Sequence, residues 1–247
     1  MPLKKSDTSW IELDIVDSTN NYAMRLVHAG VAQHGKVVFA HHQNKGKGQR
    51  GKSWETEPGA NLSFSIILQP HFLLPTQMFQ LLAVTAVCVR QELVKLIGDE
   101  AKIKWPNDLY WRDRKTGGIL IENVLRGSQW QWAVVGIGIN VNQTTFGQLQ
   151  NPVSIKQITG KETPVKELAQ AIHTNLLHSV TKLENEGFEQ FFQQYNRQLY
   201  KQGEQVQLKK GSRSFNTTIN GVNKQGQLQT GIETEENFDF GEVEWVV

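Results

Sequence analysis

Cysteine is nearly absent: Cys88 stands alone in 247 residues, so the chain offers no disulfide partner and no CxxC metal pair. It lies in an apolar helical pattern and reads as a small core residue in a reducing compartment. Long apolar runs are missing as well, and none approaches the roughly 20 residues that a membrane span needs. The first residues, MPLKKSDTSW, contain no apolar signal region, so the expected location is the cytoplasm. Charge of one sign is scarce: a net charge of +2 is too weak to argue for nucleic acid, which attracts proteins carrying a basic face or stripe. Repeats, low-complexity tracts and metal-ligand clusters are absent, and His41 and His42 have no Asp or Ser constellation around them. With 38% hydrophobic and 20% charged residues, the chain is expected to be soluble and globular, long enough for one large domain and a small one.

What is present is a cluster of glycine and cations, QNKGKGQRGKSW, at residues 43–54. Gly46, Gly48 and Gly51 let the backbone turn and approach a ligand, and Lys45, Lys47, Arg50 and Lys52 bring four positive charges into one loop. Alternating apolar runs at 36–41 and 61–68 flank it, so the loop hangs between two strands like a lid. Such a loop suits a phosphate; a solvated basic loop and a surface lying on nucleic acid stay open from this stretch alone. It matches neither GxxxxGK[ST] nor GxGxxG opening a helix, which leaves the usual nucleotide loops unsupported.

Along the chain, WIELDIV at 10–16 alternates like a strand, and Asp17, Ser18 and Thr19 offer cap chemistry for a helix over 20–28, ended by Gly30. Ser18, Thr19 and Asn20 therefore sit where a strand gives way to a helix, and capping alone is one explanation for them. Gln43, at the loop entrance, can donate and accept. Pro75 starts a long buried helix over 76–97. Residues 103–105 read as a strand stopped by Pro106, which leaves Asn107 and Asp108 at its end; Asp108 is then a turn residue, a base or a carboxylate for Mg²⁺. After a charged turn at 112–115, GGILIENVL and WQWAVVGIGINVN form a hairpin across a GSQ turn. The pairs Gly117/Gly118 and Gly136/Gly138 flank Lys115 and Asn140 and suggest a flat ligand against the backbone, bulges or tight packing being the plainer reading. Residues 145–157 read as an irregular connection, Pro164 opens a helix to about 186, and 188–200 continues helically. From Gly203 short alternating segments between Gly and Asn turns predict a small β-barrel, whose basic residues are few beside its acidic cluster Glu233, Glu235 and Glu236, with a domain boundary near Tyr200.

Five elements thus occur in fixed order: STN at 18–20, QNKGKGQRGKSW, KWPNDLYW, RKTGGILIE and GIGIN. Together, with a small β domain last, they resemble the biotin protein ligases, which join biotin to a lysine of a carboxylase subunit. The resemblance implies an α/β (α+β) fold: a mixed central sheet flanked by helices in the class II synthetase-like manner over 1–200, then an SH3-like barrel over 201–247. It implies biotin and ATP as substrates, Mg²⁺, biotinyl-5′-AMP as the intermediate, and a biotin carboxyl carrier domain of acetyl-CoA carboxylase or a related carboxylase as acceptor. Ser18, Thr19, Asn20, Gln43, Gly118, Gly136 and Gly138 would contact or line the biotin pocket, with Lys47, Gly48 and Gln49 closing over it. Gly46, Lys47, Arg50, Trp54, Asn107 and Asn140 would hold the adenylate, Lys115 biotin's carboxylate and the α-phosphate, and Asp108 the metal or a catalytic proton. The family reads GRGRxGRxW where this chain has Lys47 and Gln49 in place of the first two arginines. No segment for a DNA-binding winged helix precedes the first strand, so the likeness is to the ligase-only class, with no DNA partner and a homodimer left open. The alternatives are a lipoate or octanoate ligase or transferase of the same superfamily, and a non-catalytic nucleic-acid-binding module.

Overall fold

The structure, a computed structural model, describes residues 9–147, 151–231 and 235–246; Glu233 and the N-terminal tail lie outside them. Strand β1 (Trp10–Val16) leads into helix α1 (Thr19–His28), and β2 (Val37–Gln43) follows. The glycine and lysine loop then crosses to β3 (Leu62–Leu68). A turn at Pro75–Gln77 opens α2 (Met78–Ile97), after which β4 (Ala101–Lys104), β5 (Asp108–Trp111), β6 (Arg114–Arg126) and β7 (Gln129–Ile139) run on in antiparallel order.

These strands form one mixed sheet ordered β1-β2-β3-β7-β6-β5-β4, parallel only between β1 and β2. The period of two in a strand sends alternate residues to opposite faces. Val38, Ile67 and Val134 meet Ala23 and Val27 of α1 on one face. On the other, Val37, Phe39, Phe64, Ile66 and Val135 join α2 and α4 (Val165–Glu186) in the main core. Cys88 is part of that core, and burial pushes its thiol up to about 12, so it is an inert packing residue as expected.

Three local readings change. The segment after Pro106 is a strand and not a turn: Asp108 opens β5, and Arg112, in the left-handed region at φ 51°, makes the turn tight enough for Lys115 to lie inside β6 opposite Tyr110. The connection after β7 contains a short helix, α3 (Ile155–Thr159), fixed by a reciprocal capping box between Ser154 and Gln157. Residues 148–150 of that connection lie outside the described residues.

Helix α5 (Glu189–Arg197) leads to β8 (Gln205–Lys210), β9 (Arg213–Val222), β10 (Leu228–Thr230), β11 (Glu236–Phe238) and β12 (Glu244–Trp245). They pair as a second antiparallel sheet, β11-β10-β9-β8-β12, which fits the expected SH3-like unit. It is packed firmly on the first: Leu208, Ile219, Val222 and Leu228 belong to the main core, and Trp105 Nε1 donates to Gly226 O at 2.8 Å. Among the described residues, no helix is long and apolar enough to cross a membrane.

Candidate active site

A cleft of about 840 Å³ lies where the β1–α1 turn, the glycine and lysine loop, β6, β7 and the edge of the second sheet converge. Its buried end is a closed hydrogen-bond network. Thr19 donates to Gln43 Oε1 from its backbone N at 2.7 Å and from its hydroxyl at 3.1 Å. Ser65 Oγ lies 2.8 Å from Thr19 Oγ1 and 2.6 Å from Asn20 Oδ1, and Asn20 Nδ2 donates to Glu122 Oε2 at 2.8 Å. Ser18 occupies the N-cap of α1, yet its side chain makes no cap bond, so capping does not explain this cluster. Such a network fixes amide and hydroxyl directions before a ligand arrives, which is what selective binding of a polar ring system requires.

The opposite end is cationic. Lys115 Nζ lies there 2.7 Å from Asp108 Oδ1, whereas Lys47 Nζ, 3.3 Å from Glu122 Oε1, stays beside the Asn20 end through their shared carboxylate. Lys104, unnoticed in the sequence, is buried against the rings of Tyr110, Trp245 and Tyr200 at 4.5, 4.9 and 5.6 Å, with its ammonium 3.2 Å from Tyr110 Oη. Burial pushes Lys104 down to about 8 against the pull of Asp108, and burial also raises Tyr110.

The glycines of β7 have a more definite purpose than the sequence suggested. A Cβ on Gly136 would stand 2.2 Å from Asn20 Oδ1, and one on Gly138 would stand 2.5 Å from the Trp54 ring. The flat body against Gly138 is therefore the protein's own indole, whose Nε1 is buried with no partner among the described residues. Gly118 lies beneath the Lys115 and Asp108 pair.

In the loop, Gly48 N donates to Lys52 O at 2.7 Å and Gln49 lines the cleft with its Oε1 buried and without a partner among the described residues. Arg50 reaches the second sheet, donating to Gly241 O at 3.3 Å with its guanidinium 5.9 Å from the Phe240 ring centre. Asn107 and Asn140 line the cleft, but their Nδ2 groups donate to the carbonyls of Ile119 (2.7 Å) and Lys115 (3.4 Å), bracing the strand that carries Lys115. Gly46 does not line the cleft. A side chain there would strike the Trp54 carbonyl at 2.2 Å, so its work is to close the loop neck, where Trp54 N donates to Gly46 O.

The donor set does not build a metal cage. Asp108 is held by Lys115, and no group of three His, Cys, Asp or Glu able to hold an ion occurs among the described residues. Lys104, Glu122, Ser65 and the Phe240–Gly241 pair escaped the sequence reading. Glu122 carried a signal, an acid inside an otherwise apolar strand; the others depend on tertiary approach.

With this geometry in place, the comparisons become decisive. The model of the biotin/lipoate A/B protein ligase family matches residues 12–140. The chain belongs to that family. The bifunctional ligase/repressor BirA of Escherichia coli is 30% identical over 89% of this chain and 69% of its own length. The biotin–[acetyl-CoA-carboxylase] ligase of Paracoccus denitrificans is 27% identical, covering 86% of this chain and 90% of that protein. Among solved structures, the biotin protein ligase of Aquifex aeolicus in complex with biotin and ATP superposes with a TM-score of 0.80 at 27% identity, over 95% of this chain and 97% of that one. The Paracoccus and Aquifex proteins are biotin ligases by name and the Escherichia coli protein a ligase, and neither the lipoyl nor the non-catalytic nucleic-acid alternative finds comparable support.

Proposed function

We propose that this cleft carries out both half-reactions of a biotin protein ligase. Biotin's carboxylate attacks the α-phosphate of ATP to give biotinyl-5′-AMP and pyrophosphate, and a lysine of a biotin carboxyl carrier domain then attacks the mixed anhydride and releases AMP. One observation carries the assignment of roles: a single cavity joins a preformed amide and hydroxyl end, with Lys47 beside it, to an end holding Lys104 and Lys115.

The Ser18, Thr19, Asn20 and Gln43 end receives the fused rings. Lys115 stands where biotin's carboxylate meets the α-phosphate, and an anion there competes with Asp108 for its ammonium, holding charge that develops during attack. Lys47 exchanges Glu122 for phosphate oxygens as the loop closes, and Lys104 supplies a third cation from the floor. Trp54, lying on Gly138, packs against the adenine side, and the closed loop keeps water from the anhydride. Asp108 is the carboxylate that would stand beside a magnesium ion brought in on the ATP phosphates, and the ion would offset phosphate charge there, since Mg²⁺ is often held by one carboxylate and the substrate's phosphates. The described residues up to 200 make up the catalytic unit and those from 201 a small unit that closes one side of its cleft, with the cytoplasm as the proposed location.

Pyrophosphate exchange into ATP tests the reading. It is expected with biotin and absent with lipoate or nucleic acid, and transfer to a purified carrier domain should follow. Exchange driven by lipoate and not by biotin would overturn it.

A further inference from the structure

A second cavity, of about 260 Å³, abuts the first and shares Gln49, Pro106 and Phe240 with it. One layer of side chains thus separates the two spaces. Their linings are opposite in character. The large cleft presents Lys47, Arg50, Lys52, Lys104 and Lys115, as suits polyanions. The small one has no Lys or Arg in its lining; it has Asp239, and two amide oxygens, Gln49 Oε1 and Asn123 Oδ1, that are buried without a hydrogen-bond partner among the described residues. Asn123 gives its Nδ2 to Met78 Sδ at 3.2 Å, which leaves the oxygen as its unmet group. Met78, Phe79, Leu82 and Ile121 supply apolar walls.

Unpartnered buried acceptors beside a carboxylate call for a donor, and a charged donor most of all. An apolar wall leading to such acceptors fits a side chain with an aliphatic stem and an ammonium tip. We infer that the small cavity is the entry for the acceptor lysine of the protein substrate, an inference that rests on the ligase reading of the large cleft. The stem packs along the first turn of α2 past the Asn123 oxygen, and the ammonium is drawn to Gln49 Oε1, the acceptor on the wall shared with the large cleft. When the Gln49 side chain swings aside and joins the two spaces, the nitrogen sheds a proton to water at the mouth and forms a C–N bond to the biotinyl carbonyl carbon. The C–O bond to phosphate breaks, AMP leaves with that electron pair, and the second proton follows to water. Cations on one side of the wall and acceptors on the other keep the two substrates from exchanging places.

Two variants outside the large cleft test this, Leu82→Trp, which fills the cavity, and Asn123→Leu, which keeps its volume and removes the acceptor. Each is assayed for biotin-dependent pyrophosphate exchange, for cleavage of the intermediate by hydroxylamine, and for transfer to a purified biotin carboxyl carrier domain. Exchange and hydroxylamine cleavage should stay within about twofold of wild type, while kcat/KM for the carrier domain falls about tenfold or more. Wild-type transfer in both variants, or an equal loss of exchange and transfer, would overturn the assignment. Absence of biotin-dependent exchange in the wild type itself would instead remove the ligase reading beneath it.

Discussion

Lys115 and Asp108 form an ion pair 2.7 Å long over Gly118, on the lining of the cleft. They meet because β5 and β6 pair with Asp108 opposite Gly118, three residues beyond Lys115. Both side chains keep contact with solvent, at 33% and 26% exposure, so the pair adds roughly 1 kcal/mol or less to stability. An incoming anion can capture the lysine cheaply. On the roles proposed above, the carboxylate holds this cation in position until substrate replaces it.

Lys115→Ala should therefore abolish adenylate formation and leave the fold intact. Loss of a preorganised cation costs about 2.7 to 4 kcal/mol at a developing oxyanion, a fall of about 10² to 10³ in rate. Pyrophosphate exchange and thermal unfolding, measured on the same sample, check this. Near wild-type exchange would remove Lys115 from the chemistry.

Arg50 ties the loop to the second sheet through the Gly241 carbonyl and the Phe240 ring. At an exposed site such a contact is worth about 0.5 to 1 kcal/mol, or roughly two- to fivefold in the opening equilibrium. Arg50→Ala should raise protease cleavage within residues 45–52 by that factor, and saturating biotin with ATP should suppress cleavage in both proteins. Equal cleavage in variant and wild type would show that the contact does not hold the loop.

The two glycines of β7 predict different kinetic defects. Gly136→Ala drives a methyl into Asn20, and Gly138→Ala drives one into the Trp54 indole. Overpacking of this kind costs about 1 to 3 kcal/mol, enough for about tenfold in an apparent affinity. Gly136→Ala should raise KM for biotin, and Gly138→Ala should raise KM for ATP. The same KM rising in both variants would contradict the division of the cleft.

Lys104 supplies a pH dependence whose sign follows from its burial. With its pKa lowered from 10.5 to about 8, it is charged below that pH and neutral above it. Its contribution to phosphate binding is fully present at lower pH and fades as pH rises through about 8, so KM for ATP should climb between about pH 7 and pH 9. Lys104→Arg, which stays charged, should flatten that rise. Stability moves the other way. Between about pH 8 and 10.5 the unfolded chain binds a proton that the folded chain lacks, so this group's contribution to stability increases with pH. A KM profile identical in wild type and Lys104→Arg would exclude Lys104 from the phosphate site.

How much of this was legible before folding depended on range. Alternation marked β1, β3 and the β6–β7 hairpin, and Pro75 and Pro164 marked the starts of the two long helices, because those signals lie within a few residues of the structure they cause. The ordered motifs placed Thr19, Asn20, Gln43 and Lys115 in one cleft. Strand β5 was missed because four residues between a proline and a charged turn carry no period. Lys104 reads as an ordinary strand lysine until Tyr200 and Trp245 are folded onto it. The same holds for Gly138, whose need for no side chain is set by Trp54 from another element.

Gln49 is the position where a family arginine gives way to an uncharged side chain, and its place between the two cavities sharpens what the change does. Its Oε1 is buried and without a partner among the described residues, on the wall shared by the adenylate cleft and the cation-free cavity. An arginine there would offer a bidentate, charged clamp to the intermediate's phosphate, whereas the amide offers a neutral one. A charge-assisted hydrogen bond is worth about 1.5 to 3 kcal/mol, so Gln49→Arg should slow dissociation of preformed biotinyl-AMP by about tenfold or more. The same guanidinium would also face the small cavity and repel an ammonium arriving through it. Transfer to the carrier domain should then slow in Gln49→Arg even though the intermediate is held longer, a combination that tighter retention alone does not produce. Intrinsic tryptophan fluorescence follows the release, with Trp54 as the reporter beside the adenylate, and biotin incorporation follows the transfer. Unchanged or faster release would mean that Lys47, Arg50 and Lys115 already supply the retaining charge and that Gln49 turns away from the phosphate.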